Sequence, residues 1–265
     1  MKIKPKKSLG QNFLVDDKLL ELIANIGEIN TKDTILEVGA GTGNLTEKLI
    51  YRKPKRIIAI EKDKNLCKIL NDKFDEKENI KILNENIMNI NEEKITNEKF
   101  IIYGNLPYNI STQILAKWIK MRELNKFSKK FILMFQKEVA DRIISKINTS
   151  NYGRLSILSN WKLNIKKVMD ISRNSFFPKP KVESTLLIFS PKNKFYKIKN
   201  SKNLEMITRV FFNQRRKMIK KPFNQIFKNS IQVAKKLNID LTLRPQNLSY
   251  DKYYKITAEY ENLGN

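Results

Sequence analysis

Apolar positions fall into short continuous runs over the first two thirds of the chain and into helical spacing over the last third. Runs at 34–38, 56–60, 80–83, 100–103 and 131–135 are four or five residues long, which fits strands buried on both faces. Helical stretches at 44–51, 64–74 and 112–124 lie between them, and another at 136–146 follows the fifth run. Such alternation predicts a mostly parallel sheet with helices on both faces. Two later runs, 166–171 and 184–190, predict two more strands as an antiparallel edge pair. After Pro191 the texture changes. Residues 192–203 read as a polar, Lys-rich linker, and 204–213, 222–227, 230–237 and 249–260 as short helices. The expected fold class is α/β over 1–191, followed by a small all-helical domain over 192–265.

Charge narrows the partners. The chain has 265 residues and a formal charge of +25, and residues 192–265 contribute +12 of it. Lys outnumbers Arg by 42 to 10, and Asn and Ile are abundant, as A/T-rich coding would produce. Coding bias does not explain why acidic residues fail to keep pace, so a polyanion partner is expected, either nucleic acid or an acidic membrane surface. There is no histidine and a single cysteine, Cys67, which excludes His-based triads, His general bases, intrachain disulfides and Cys-based metal sites. No run of about 18 apolar residues suggests a membrane span. The start, MKIKPKK, has no apolar signal core, so a cytoplasmic location is expected.

The strongest local signal is the segment 34–46, TILEVGAGTGNLT: an apolar strand, a glycine-rich turn, then a helix. Gly39, Gly41 and Gly43 let the backbone approach a ligand closely. A dinucleotide fingerprint would need glycine at 44, where Asn44 stands. The E-x-G-x-G-x-G spacing is instead similar to the first motif of S-adenosylmethionine methyltransferases. Glu61, at the end of the second strand, is placed to accept hydrogen bonds from both hydroxyls of a ribose.

The tetrad Asn105, Leu106, Pro107, Tyr108 follows the fourth strand and resembles the motif of enzymes that methylate exocyclic amines. The adenine N6 lone pair is delocalised into the ring, so the amine is a poor nucleophile. Accepting its N–H groups at the Asn105 side-chain oxygen and the Leu106 carbonyl would favour a pyramidal, reactive amine. Pro107 would fix the turn, and Tyr108 would stack on an extruded base for about 1–3 kcal/mol. A sulfonium methyl needs positioning more than acid–base help, so the lack of histidine costs nothing.

Further segments carry a specific resemblance. Residues 8–14 (SLGQNFL), 104–112 (GNLPYNIST), 134–142 (MFQKEVADR), 152–156 (YGRLS), 176–184 (FFPKPKVES), 211–217 (FFNQRRK) and 244–249 (RPQNLS) are, in this order, similar to motifs of the ribosomal RNA adenine N6-dimethyltransferases. The resemblance runs almost end to end. It implies a Rossmann-like methyltransferase sheet with S-adenosylmethionine as cofactor, S-adenosylhomocysteine as product, and no metal. It also implies cofactor contacts from Asn12 and Leu14, and stacking of Phe176 on the target adenine opposite Tyr108. The family usually has Asp after the third strand to bind the cofactor's adenine amine. Asn86 stands there, a neutral acceptor, with Glu85 beside it.

The implied substrate is two adjacent adenosines in a hairpin near the 3′ end of small-subunit rRNA. Each would be dimethylated, within an immature subunit, by a monomeric enzyme. Arg215, Arg216, Lys217, Lys220 and Lys221 would then contact phosphates. Two alternatives remain: a large-subunit rRNA adenine methyltransferase of the antibiotic-resistance type, and a ribosome-assembly factor with secondary methylation. A DNA adenine methyltransferase is disfavoured, because those usually carry Pro where Leu106 stands.

Overall fold

The computed structural model describes residues 5–6, 9–92, 95 and 98–264; Ser8 of the N-terminal motif and most of the MKIKPKK start lie outside them. The chain opens with β1 (Phe13–Leu14) and α1 (Asp17–Ile26), whose first turn is capped by the Asp16 carboxylate accepting the Leu19 N–H. The alternating region follows as β2 (Thr34–Val38), α2 (Asn44–Tyr51), β3 (Arg56–Glu61), α3 (Lys64–Phe74), β4 (Ile80–Asn84), β5 (Phe100–Gly104), α4 (Ser111–Ile119), α5 (Leu124–Phe127) and β6 (Ser128–Gln136). Next come α6 (Lys137–Ile144), α7 (Arg154–Lys162), β7 (Leu163–Ile171), β8 (Phe176–Phe177) and β9 (Ser184–Pro191). Four helices complete the described chain: α8 (Ser201–Phe212), α9 (Lys220–Ile226), α10 (Ser230–Lys236) and α11 (Tyr250–Asn262).

Seven strands form one sheet in the order β4-β3-β2-β5-β6-β9-β7. Pairs β3/β4, β2/β3, β2/β5 and β5/β6 are parallel, and β9 runs antiparallel to β6. The two late strands therefore do sit together, with β7 on the edge and β9 between it and β6. Strands β2 and β5 are buried at every position, as central strands covered on both faces must be. On one side the sheet packs Ile35, Ile57, Ile101 and Ile132 against Leu20, Ile23 and Ala24 of α1 and Leu45 and Leu49 of α2.

Three local features differ from the pattern reading. The helix expected over 112–124 breaks into α4 and α5, because Lys120 caps α4 and residues 121–123 turn. The linker is shorter, since Asn200 caps α8 from Ser201 onward. Helices α1 and α7 add to the expected set, and α7 has no amphipathic stripe to announce it: Ser156, Ile157, Leu158, Ser159 and Trp161 are all buried.

The chain forms two compact units, residues 1–140 with 164–191, and residues 141–163 with 192–265. The sequence-based boundary grouped 141–163 with the sheet; in the structure this stretch groups with the helices. Within the helical unit the Tyr152 hydroxyl donates to the Leu248 carbonyl at 2.7 Å and the Tyr254 hydroxyl to the Ile157 carbonyl at 2.8 Å. Glu261 accepts the backbone N–H groups of Lys199 and Asn200 at 2.7 and 2.8 Å. Among the described residues, no helix is long and apolar enough to cross a membrane.

One carboxylic acid lies deep within the sheet unit. Glu37 on β2 is 2% exposed and accepts the Thr46 hydroxyl at 2.7 Å. Burial pushes its carboxyl up from 4.5 to about 8, against the opposing pull of the Thr46 hydrogen bond. Below about pH 4.5 the carboxyl is protonated whether the chain is folded or unfolded. From there to about pH 8 folding takes up a proton, so stability falls as pH rises, by at most about 1.4 kcal/mol per unit, and then levels off. Glu37→Gln should match the parent protein near pH 4 and exceed it by a growing margin up to about pH 8 in urea denaturation. Parallel stability curves for the two proteins would contradict this burial.

Candidate active site

Every parallel strand from β2 to β5 delivers a loop to the same edge of the sheet, and two of those loops meet. Val38 at the end of β2 pairs with Gly104 at the end of β5, so the glycine turn and the tetrad leave the sheet side by side. Gly39 has φ +77°, and a Cβ there would lie 3.2 Å from the Asn105 carbonyl oxygen. Gly41 has φ +60°, and a Cβ there would press on the Phe13 ring at 3.0 Å. Both positions therefore require glycine, for backbone conformation and for space.

These loops border an open cleft of about 880 Å³. Its walls include Asn12, Phe13, Gly39, Gly41, Glu61, Asn86, Asn105, Leu106, Pro107 and Tyr108. A smaller cavity of about 340 Å³, bordered by Leu14, Glu37 and Asn44, shares Phe13, Gly39, Gly41 and Asn105 with it.

Glu61 is 8% exposed, and its carboxylate accepts the N–H groups of Gly41 at 3.0 Å and Asp63 at 2.9 Å. Burial raises its pKa, and the backbone N–H groups of Asp63, Gly41 and Lys62 oppose the rise. The same carboxylate thus faces the cleft and holds the glycine turn in shape. Asn86 reaches the cleft from the loop after β4, and its side-chain oxygen accepts the Met88 N–H at 3.1 Å. A second lone pair on that oxygen is left for a ligand.

In the tetrad, the Asn105 side-chain amide donates to the Asn12 carbonyl at 2.9 Å. That bond uses one of the two amide N–H groups and fixes the orientation of the amide, with Oδ1 as its acceptor end. Leu106 is buried, and Pro107 accepts the Ile110 N–H at 3.1 Å, closing the turn that starts α4. The Tyr108 hydroxyl lies 2.6 Å from the Ser184 hydroxyl on β9, which fixes the ring at the cleft. Burial raises the pKa of Tyr108, against the Ser184 hydrogen bond, so it stays a neutral phenol.

Leu14 and Phe176 do not line the larger cleft. Leu14 is packed in the core; its carbonyl accepts the Asn44 side chain at 2.8 Å, and it borders the smaller cavity. Phe176, expected to stack on a base, is 4% exposed and buried in the same core beside Leu14. Alternation along β8 accounts for this placement: Phe176 pairs with Leu14 and Phe177 with Phe13, so the first ring turns inward and the second outward.

In the helical unit, Arg216, Lys217, Lys220 and Lys221 are exposed, at the α8–α9 turn and the start of α9. Arg215 is half-buried and holds its neighbours instead, donating to the Thr149 carbonyl at 3.1 Å and to Gln246 at 3.2 Å. It is therefore the least available of the five for a phosphate.

The structure adds supports that sequence reasoning missed. Asp63 accepts Lys6 Nζ at 2.8 Å and Gln11 Nε2 at 2.9 Å, tying the N-terminal segment to the end of β3. Burial alone would raise the Asp63 carboxyl, but these bonds outweigh it and hold it low. Lys117 on α4 donates to the carbonyls of Ile87 and Ile90, each at 2.6 Å, and to Glu92 at 2.8 Å. It braces the Asn86 loop against the helix that follows the tetrad. Among the described residues, no cluster of three or more His, Cys, Asp or Glu side chains could hold a metal ion.

Comparisons with known proteins bear on this geometry. The family model described as ribosomal RNA adenine dimethylase matches residues 2–262. A Pelagibacter ubique (strain HTCC1062) protein named ribosomal RNA small subunit methyltransferase A is 56% identical over 263 residues, covering 99% of each chain. A dimethyladenosine transferase from Plasmodium falciparum superposes with a TM-score of 0.82 at 26% identity, covering 95% of this chain and 98% of its own. A 23S rRNA methyltransferase superposes at 0.69 with 20% identity, over 96% of this chain and 100% of its own, which shows a shared fold. With the match running over nearly its whole length, the chain belongs to the ribosomal RNA adenine dimethylase family.

Proposed function

We propose that this chain dimethylates N6 of two adjacent adenosines in a hairpin near the 3′ end of small-subunit rRNA, within an immature subunit in the cytoplasm, with S-adenosylmethionine as donor. The observation that carries the reading is the meeting of Gly39 and Asn105 beside the buried Glu61 carboxylate. A glycine-rich turn next to a carboxylate suits a nucleoside, because the carboxylate can accept two hydroxyls and the backbone at Gly39 and Gly41 can approach closely. Glu61 would hold the ribose, Asn86 the adenine amine, and Asn12, Gly39 and Gly41 the rest. When bound, the donor supplies a methyl group already activated on a sulfonium centre. The chain's own contribution is position. Asn105 Oδ1 and the Leu106 carbonyl accept the N–H groups of the target amine, and Tyr108 stacks on the base. Arg216, Lys217, Lys220 and Lys221 serve as phosphate contacts in the helical unit.

The large-subunit alternative shares this fold, so the fold alone does not separate the two readings. The 56% identity to a protein named for the small subunit favours the first. Mass spectrometry of small-subunit rRNA incubated with the protein and labelled donor should find the label in dimethyladenosine; label only in large-subunit rRNA would overturn the assignment.

Asn105→Ala should abolish methyl transfer while subunit binding stays within about tenfold. Full activity in that variant would remove the tetrad from the chemistry. Glu61→Ala should weaken donor affinity at least tenfold, at roughly unchanged RNA affinity, as measured by calorimetry. Normal donor binding would take Glu61 out of the site.

A further inference from the structure

Phe177 lies next to the cleft, and nothing above assigns it a role. It is 58% exposed, although an aromatic ring gains by burial. A single exposed apolar side chain is ordinary on a protein surface; three features set this one apart. First, Phe177 pairs with Phe13 across the β1/β8 ladder, so the two side chains stand on the same face of that strand pair, and Phe13 lines the cleft. Second, the segment continues to Ser184, whose hydroxyl contacts that of Tyr108, so both of its ends are anchored at the site. Third, Lys179 and Lys181 are exposed on the same segment, alternating with Pro178 and Pro180, whose rings restrict the backbone.

An outward aromatic ring followed by two cations on a proline-stiffened loop has the chemistry of a single-stranded nucleic-acid contact: the ring takes a base face and the cations take the flanking phosphates. We propose that Phe177 is a stacking platform for the unpaired nucleobase next to the target adenine, with Lys179 and Lys181 holding the backbone of the same strand. This rests on the reading of the chain as an rRNA methyltransferase. The inward Phe176 and the outward Phe177 thereby divide the work: one fastens β8 to the core, the other holds the substrate strand.

The test is steady-state methyl transfer to small subunits isolated from cells lacking this methylation, with the full-length protein. Phe177→Ala should raise KM for the particles about tenfold while kcat and donor affinity stay within about twofold. Phe177→Trp should restore KM, and Phe177→Leu, apolar but without a ring face, should not. Changing Lys179 and Lys181 together to Gln should flatten the salt dependence of KM. A KM unchanged in Phe177→Ala, with the parent protein active, would overturn the inference and leave the proposed function standing. Rescue by Leu as good as by Trp would also overturn it. Failure of the parent protein to methylate the particles would instead defeat the functional reading beneath it.

Discussion

Two backbone turns come into contact at the ends of adjacent parallel strands, and the site depends on that contact. From β2 the chain runs outward through β3 and β4, then returns to lay β5 on the other side of β2 before continuing to β6. The crossovers on either side of this reversal diverge and leave a crevice at the carboxyl edge. Val38 and Gly104 are in register, so the residues after them, Gly39 and Asn105, must share one small volume. Only a residue without a side chain allows this, since a Cβ at 39 would crowd the Asn105 carbonyl oxygen. The positions of Asn12 and Tyr108 follow: the Asn105 amide holds the first, and the turn through Pro107 leads to the second.

Around that contact the chain works without histidine. Two carboxyls near the glycine turn are both raised by burial, but they are solvated differently. Glu61 accepts backbone N–H groups on both oxygens, whereas Glu37 has a single hydroxyl partner and is pushed further. A carboxyl facing a ligand and a more strongly raised carboxyl behind the turn can thus coexist on neighbouring strands. The Lys117 brace is of another kind: it spends one ammonium on two carbonyls and a carboxylate, and so holds the loop after β4 to α4.

Much of this was legible in the sequence because it is written in backbone chemistry. Glycines at alternate positions after the first apolar run, an acid at the next strand end, and Asn-Leu-Pro-Tyr after the fourth run are local patterns, and the parallel sheet brings them to one edge. What was not legible depends on which way a side chain turns. Phe176 and Phe177 are indistinguishable until the register with β1 makes one core and the other surface. Arg215 and Arg216 look equivalent until Thr149 and Gln246 claim the first. The α7 helix carries serines at buried positions, and Ser156 there serves a hydrogen bond with Gly153, so hydrophobic periodicity could not reveal it. The ties from Lys6 and Gln11 to Asp63 span more than fifty positions, beyond the reach of any local pattern.

The grouping of residues 141–163 with the later helices means that the chain passes between its two units three times, after Ala140, Leu163 and Pro191. A helical unit joined at one point could be trimmed by a premature stop codon or exchanged between genes as a cassette. Here, ending translation after Pro191 would strand α7 without the α8 and α11 surfaces it packs on. The segment upstream of β7 would then leave Ile157, Leu158 and Trp161, buried in the intact unit, without their cover. Threaded in this way, the two units are bound to be inherited together, and variation in one must stay compatible with the other.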